Sequence, residues 1–125
     1  MTLVEITVAV FILSVVLVSL GALMSQVSVR TRQAAALSYL SAAAAAAEAR
    51  AEKLPWDSLG PGSSVIGCTT DTSGQLVYSR CTTITGHPVF DTVRVVLTPT
   101  GTLTAPPETV VVFRGKPGGE VPFVP

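Results

Sequence analysis

Residues 5–29 read EITVAVFILSVVLVSLGALMSQVSV, and Glu5 is the one charged residue in this stretch. The next charge along the chain is Arg30, so residues 6–29 form an apolar run that only small or neutral polar side chains interrupt. About 20 helical residues at 1.5 Å each cross the roughly 30 Å hydrocarbon layer of a membrane. The run therefore predicts a hydrophobic, membrane-spanning helix, which we assign to residues 1–29.

Glu5 does not fit a simple membrane anchor. A carboxylate at the centre of a membrane costs about 2.5–3.5 kcal/mol on insertion scales, whereas Leu or Val at the same position would be favourable. We therefore expect Glu5 to have a positively charged partner. The nature of that partner is the main functional question that the sequence raises.

The composition limits the classes of protein to which the chain can belong. Of its 125 residues, 48% are apolar and 13% are charged, and eight Lys and Arg balance eight Asp and Glu. This balance gives no indication of a nucleic-acid binder or of a basic patch for a membrane surface. The chain lacks Asn, and all nine Pro lie from residue 55 onward, which indicates either a thermophilic source or a biased genome composition.

The helical pattern continues beyond Arg30 and ends at Pro55, because a proline disfavours helix in the residue before it. We expect one helix over residues 2–54, of which residues 30–54 are an amphipathic continuation rich in Ala. The predicted apolar stripe recurs at helical spacing and consists of Leu37, Leu40, Ala44, Ala47, Ala51 and Leu54. Because most of these side chains are small, we expect a sheet to pack close to the helix backbone.

Residues 55–125 have the pattern of a small β-rich domain. Turn clusters separate β-rich runs at residues 64–67, 75–85, 90–98 and 108–114. The short connections favour an antiparallel meander, and Val93, Val95 and Leu97 are predicted to share its buried face. The predicted fold class is α+β: one long N-terminal helix with its C-terminal half packed on a small antiparallel β-sheet.

Cys68 and Cys81 flank the turn-rich stretch CTTDTSGQLVYSRC. In a short domain outside the cytoplasm such a pair predicts a disulfide, and two buried thiols are the alternative. A disulfide places the chain after the span outside the cell, but Arg30 and Arg32 would place it in the cytoplasm by the positive-inside rule. A basic leader removed before Met1 would resolve the conflict, and a free amine at Met1 would also be a cytoplasmic positive charge.

No catalytic or metal-binding motif stands out in the sequence. His87 is the one His and lies in TGHP between two predicted strands, where we expect a loop residue rather than a catalytic base. Trp56 and Asp57 follow the helix and are predicted to seat the first loop on the sheet. We therefore expect no enzymatic activity, no cofactor and no metal.

The start of the chain, MTLVEITVAVFILSVVLVSL, resembles the N-terminus of mature type IV pilins and pseudopilins. The resemblance rests on Thr2-Leu3-Val4-Glu5-Ile6 followed by the long apolar run, and it covers about the first 25 residues. A lone acid at position five of a hydrophobic N-terminal helix is the signature of that family. The resemblance implies the type IV pilin fold, cleavage of a leader before Met1 by a prepilin peptidase, and N-methylation of Met1.

The resemblance also implies a partner for Glu5, namely the N-terminal amine of Met1 in a neighbouring subunit. Physical reasoning supports such a pair. An ammonium at a helix N-terminus is opposed by the helix dipole, and an unpaired carboxylate is costly in apolar surroundings. Pairing across subunits would relieve both and fix the axial register of a polymer. Pairing of Glu5 with the amine of its own chain is the alternative.

Two positions depart from the pattern of many pilins, which carry Gly at position 14 and Pro at position 22 and unwind between them on assembly. This chain has Ser14 and Ala22 there. Ser14, Ser19, Gly21 and Ala22 are nevertheless candidate residues for helix unwinding, because Gly and Ser weaken a helix and Ser can bond back to backbone carbonyls. The lack of Pro at position 22 is shared with pseudopilins and some minor pilins.

The first functional hypothesis is a major pilin that polymerises with itself into an extracellular type IV pilus for twitching motility, adhesion or DNA uptake. The implied partners are the prepilin peptidase, an assembly ATPase, a platform protein and a secretin, with the inner membrane holding subunits before assembly. DNA is a further possible partner, which the balanced charge of the chain does not indicate. A minor pilin or type II secretion pseudopilin is the second hypothesis, and a membrane-anchored binding domain without a polymer is the third.

Overall fold

The computed structural model describes residues 2–118, so Met1 and residues 119–125 lie outside the described part of the chain. One helix, α1, covers Leu3–Lys53 and is followed by a short 3₁₀ turn at Trp56–Ser58. The strands are β1 (Gly67–Ser73), β2 (Leu76–Gly86), β3 (Phe90–Pro99) and β4 (Glu108–Gly115). The α+β class and the single long helix are thereby confirmed.

The chain divides into two compact units, Met1–Ala34 and Ala35–Pro125. The first unit is helical from Leu3 onward, and every described residue in it is exposed. The second unit contains the rest of α1 and the whole sheet, and it has its own hydrophobic core. We refer to the second unit as the head.

The helix begins and ends where charges favour its termini. Glu5 lies in the first turn of α1, and Arg50 and Lys53 lie in the last turn, which complements the helix dipole at both ends. Pro55 follows with an extended backbone and prevents continuation of the helix. The predicted extent of residues 2–54 is confirmed to within one residue at each end.

The sheet is a four-stranded antiparallel meander in the order β1-β2-β3-β4, as the short connections predict. The prediction of a first strand at residues 64–67 is wrong, because β1 runs from Gly67 to Ser73. The stretch CTTDTS has the appearance of a loop, but its Thr residues favour a strand. The turn needs only Gly74 and Gln75, and Gly74 has the positive φ of 58° that such tight hairpins require.

The core of the head lies between α1 and the sheet. Leu76, Val93 and Leu97 are fully buried from the sheet side, which confirms the predicted face of β3. From the helix side the buried residues are Ala36, Leu40, Ala43, Ala44, Ala47 and Ala51. The inclusion of Leu37 in the buried stripe is wrong, since its side chain is exposed, and Leu54 is only half-buried. The neighbouring Ala36 is buried instead.

The sheet does not approach the helix backbone as closely as the small residues predict. Within residues 2–118, no Cα atom of α1 lies within 8 Å of a Cα atom of a strand. Larger side chains from the sheet, including Leu97 and Tyr78, fill the space opposite the alanines. The filling is incomplete, since a cleft of about 280 Å³ remains beside Ala47 and Ala51.

Candidate functional site

Glu5 lies on the exposed surface of α1, one turn from the start of the helix. Its backbone N–H donates to the carbonyl of Thr2 at 3.0 Å, which places Glu5 in the first hydrogen-bonded turn of the helix, and its side chain is exposed. The ion pairs within residues 2–118 are Arg80–Asp71 and Lys116–Asp91, and neither includes Glu5. Met1, the predicted partner and methylation site, lies outside the described residues, so the pairing stays a prediction.

The helix around Glu5 presents an unusually apolar surface. Large side chains that a folded protein normally buries are largely exposed here, with Phe11 at 69% and Met24 at 76% of their full accessibility. By length and composition α1 is able to cross a membrane. A surface of this kind needs an apolar environment, either a bilayer or other apolar protein surfaces.

The four candidate residues for unwinding lie in unbroken helix. The Ser14 hydroxyl donates to the carbonyl of Phe11 at 2.7 Å, and the Ser19 hydroxyl donates to the carbonyl of Val15 at 2.8 Å. A methyl group added at Gly21 would meet no other atom within 4 Å. The isolated chain is therefore helical across Ser14, Ser19, Gly21 and Ala22, and unwinding during assembly stays a prediction.

Cys68 and Cys81 form a disulfide, which confirms the predicted pair. The two residues are direct partners in the antiparallel register of β1 and β2, and their Cα atoms are 4.0 Å apart. Cys81 alternates along β2 with buried Thr82, so the bridge lies on the outer face of the sheet, where Cys68 is exposed. The disulfide therefore ties the edge strand β1 to the sheet and does not fill the core.

Trp56 and Asp57, which follow the helix, differ in burial and in their contacts. Trp56 is half-buried, and the guanidinium of Arg114 lies 5.4 Å from the centre of its ring, so the prediction that Trp56 seats the loop on the sheet is confirmed. Asp57 is exposed and does not share that role. His87 lies in the loop between β2 and β3 as predicted, and its ring stacks on Phe90 with centroids 4.6 Å apart.

Arg114 contributes an interaction that no sequence pattern predicts. From β4 its guanidinium donates to the backbone carbonyls of Ala51, Glu52 and Leu54. These carbonyls are at the end of α1, where no further turn of helix supplies donors. Arg114 therefore caps the C-terminus of the helix from across the sheet.

A second feature that sequence reasoning missed is a charge pair between a buried Asp91 and a partly exposed Lys116. Asp91 on β3 is 7% exposed, and its Oδ1 lies 3.4 Å from Nζ of Lys116. The same Nζ donates to the carbonyl of His87 at 2.6 Å. The pair borders a cavity of about 390 Å³ whose walls include Trp56. The sequence does contain one indication that Asp91 is buried. Asp91 alternates along β3 with the same period as Val93, Val95 and Leu97, so it lies on their buried face.

The described residues do not suggest a metal centre. Residues 2–118 contain no group of three or more His, Cys, Asp or Glu side chains placed to hold an ion. The charged pairs of the head are one acid with one base each.

No protein-family model, curated protein or solved structure matches this chain.

Proposed function

We propose that this protein is the major structural subunit of an extracellular type IV pilus. The observation that carries the proposal is Glu5, a single carboxylate at the start of an exposed helical surface that is otherwise apolar as far as Arg30. A helix that only anchors a protein in the membrane does not need a carboxylate at this position. In a polymer the carboxylate has a function, because each Glu5 can pair with the N-terminal amine of Met1 in the next subunit.

The proposed assembly follows from the contrast between the two units. Helices with apolar surfaces on all sides pack together in the filament core, where each replaces lipid around its neighbours. The heads, which have cores of their own, form the outer layer. Since a buried ion pair contributes little net stability but strongly penalises a missing partner, the Glu5–Met1 pair would act mainly by selecting one axial register.

The route to the filament is part of the same proposal. A prepilin peptidase would release the Met1 amine, which is then methylated, and subunits would wait in the inner membrane. An assembly ATPase, a platform protein and a secretin would extrude the fibre, with the disulfide of the head formed outside the cytoplasm. The fibre would serve twitching motility, adhesion or DNA uptake. This role is structural and not enzymatic, and it needs no cofactor.

The test is replacement of Glu5 in the native host, followed by electron microscopy of sheared surface fibres. Glu5→Gln keeps the size of the side chain and removes its charge, so we expect fibres to be lost or greatly shortened. Glu5→Asp keeps the charge and should retain part of the assembly. Glu48→Gln, an exposed carboxylate in the head portion of α1, is the matched control and should assemble normally. Fibres of normal length and number from Glu5→Gln would overturn the pairing.

A minor pilin or type II secretion pseudopilin is the second candidate, and Ala22 favours it because the helix there contains no Pro. Mass spectrometry of purified fibres separates the two. A major pilin is the predominant subunit of a long fibre, whereas a minor pilin or pseudopilin is a trace component. If the chain remains monomeric in the membrane, the remaining candidate is a membrane-anchored binding domain.

A further inference from the structure

We propose that the cavity of the head beside Trp56, Asp91 and Lys116 binds a neutral sugar ring. The cavity has a volume of about 390 Å³, which is within the usual size range of small-molecule sites. Its apolar walls come from Trp56, Leu59, Pro61, Ile66 and Ile84, and its polar residues are Asp91 and Lys116. The proposal concerns the head of a single chain and does not depend on polymerisation.

The polar end of the cavity has unused hydrogen-bonding capacity. The Asp91 side chain is 10% exposed, and its Oδ1 is 3.4 Å from Nζ of Lys116, longer than the roughly 2.7–2.9 Å of a strong charge-assisted hydrogen bond. Within residues 2–118 the carboxylate accepts no other side-chain hydrogen bond, whereas Lys116 already donates to the carbonyl of His87. A carboxylate has about four acceptor positions, so hydroxyl donors from a ligand would find them open.

The chemistry of the pair selects the class of ligand. An acceptor and a donor lie side by side, and their charges cancel. A ligand cation would be opposed by Lys116, and a ligand anion would be opposed by Asp91. Hydroxyl groups donate and accept at once, so neighbouring hydroxyls on a ring complement both members of the pair. The C–H surface of the same ring would pack on Trp56 and the aliphatic walls, which are suited to an apolar face.

Glycine at position 86 keeps the carboxylate accessible. A methyl group added there would lie 3.5 Å from Oδ1 of Asp91, an ordinary van der Waals contact that covers the oxygen without forcing the backbone to move. Gly86 does not have a positive φ, so its conformation does not require glycine. A side chain at position 86 would therefore narrow the approach to Oδ1 of Asp91 without straining the backbone.

The chain carries its own probe, since Trp56 is its one Trp and lines the cavity. The full chain, purified in a polyoxyethylene detergent so that no sugar headgroup competes, is titrated with glucose, galactose, mannose and N-acetylglucosamine while Trp56 fluorescence is recorded. We expect a saturable change with at least one of these sugars. Free N-acetyltryptophanamide in the same titrations corrects for non-specific quenching.

Two variants assign the binding to this cavity. Asp91→Asn should weaken the binding about tenfold or more, because it removes the charged acceptor, and Gly86→Ala should weaken it by covering the oxygen. Asp71→Asn removes a strand carboxylate that is paired with Arg80 outside the cavity, and Gly115→Ala adds a methyl group in open space. Both controls should bind the sugar as the unmodified chain does.

Three results would overturn the inference. The first is the absence of a saturable change with every neutral sugar. The second is unchanged affinity in Gly86→Ala, which is expected to fold because the added methyl group makes no clash. The third is tighter binding of glucosamine or glucuronate than of the neutral sugars, which would assign a charged ligand. None of these results bears on fibre formation, and loss of fibres in Glu5→Gln leaves the sugar titration intact.

Discussion

The N-terminal segment and the head use hydrophobic residues in opposite ways. In residues 2–34 the large side chains of Val, Leu, Ile and Phe are exposed, whereas in the head the small side chain of Ala is buried along the same helix, at Ala36, Ala44 and Ala51 among others. The head supplies its own cover in the form of a sheet. The N-terminal segment has no cover within the described chain, so its apolar surface is satisfied only by a membrane or by other molecules. A hydrophobic pattern thus shows that a surface needs an apolar partner without showing which one.

The largest expected effect comes from removing matched leucines in the two regions. Leu97 is fully buried in the head, so Leu97→Ala should lower the free energy of unfolding of the head by about 2–5 kcal/mol. Leu13 is 58% exposed, so Leu13→Ala should leave that free energy unchanged. Urea unfolding of the detergent-solubilised chain, followed by Trp56 fluorescence, measures both.

This pair of variants tests directly whether the stability of the head is independent of the N-terminal segment. A loss of head stability in Leu13→Ala similar to that in Leu97→Ala would mean that the N-terminal segment supports the head. The division into one self-sufficient region and one dependent region would then be wrong.

A smaller effect is expected where β4 holds the end of α1. Arg114→Gln removes the charged donor to the carbonyls at Ala51, Glu52 and Leu54 and should destabilise the head by about 1.5–3 kcal/mol. Arg94→Gln, an exposed Arg on β3, is the control and should change stability little. Equal urea midpoints for the two variants would show that the helix end needs no donor from the sheet.

The smallest effect concerns the helix around Gly21. Gly21→Ala adds a methyl group that meets no other atom within 4 Å and should strengthen the isolated helix by about 1 kcal/mol. Ala22→Gly changes helix propensity in the opposite direction. If the helix unwinds here during assembly, Gly21→Ala should reduce the yield of fibres and Ala22→Gly should not. The measurement is the number of fibres per cell, counted by electron microscopy. An unchanged yield in Gly21→Ala would show that the helix does not need to unwind at these residues.

Local sequence patterns predicted the helix and strands of this protein better than they predicted which faces of these elements are buried. The helix, its end before Pro55, the antiparallel meander and the disulfide all follow from short-range signals in the sequence. The first strand was misplaced, since CTTDTS contains both turn-forming and strand-forming residues, and its pairing with β2 decides between them. Helical spacing and size favour Leu37 for the buried stripe, yet its side chain is exposed and the neighbouring Ala36 is buried.

The candidate sites also differ in whether local sequence patterns reveal them or only tertiary contacts do. Glu5 is visible in the sequence because it is a charge in an apolar run, and no tertiary contact is needed to recognise it. Asp91 is visible only as a charge on a buried face, and its meaning depends on Lys116 and Trp56, which approach it from distant parts of the chain. Arg114 gave no local signal, because its partners at Ala51, Glu52 and Leu54 are about 60 residues earlier.

The sequence by itself determined that this protein has a long helix, that the N-terminal part of the helix is apolar on all sides with one acid at its start, and that a small β domain with a pair of Cys residues follows. These properties depend on helix propensity, proline geometry and hydrophobic period, which act over a few residues. Tertiary structure alone decided which helix face is buried, how Arg114 caps the helix and where Asp91 and Lys116 frame a cavity. Each of these depends on contacts between residues that lie far apart in the chain, and local sequence patterns do not specify such contacts.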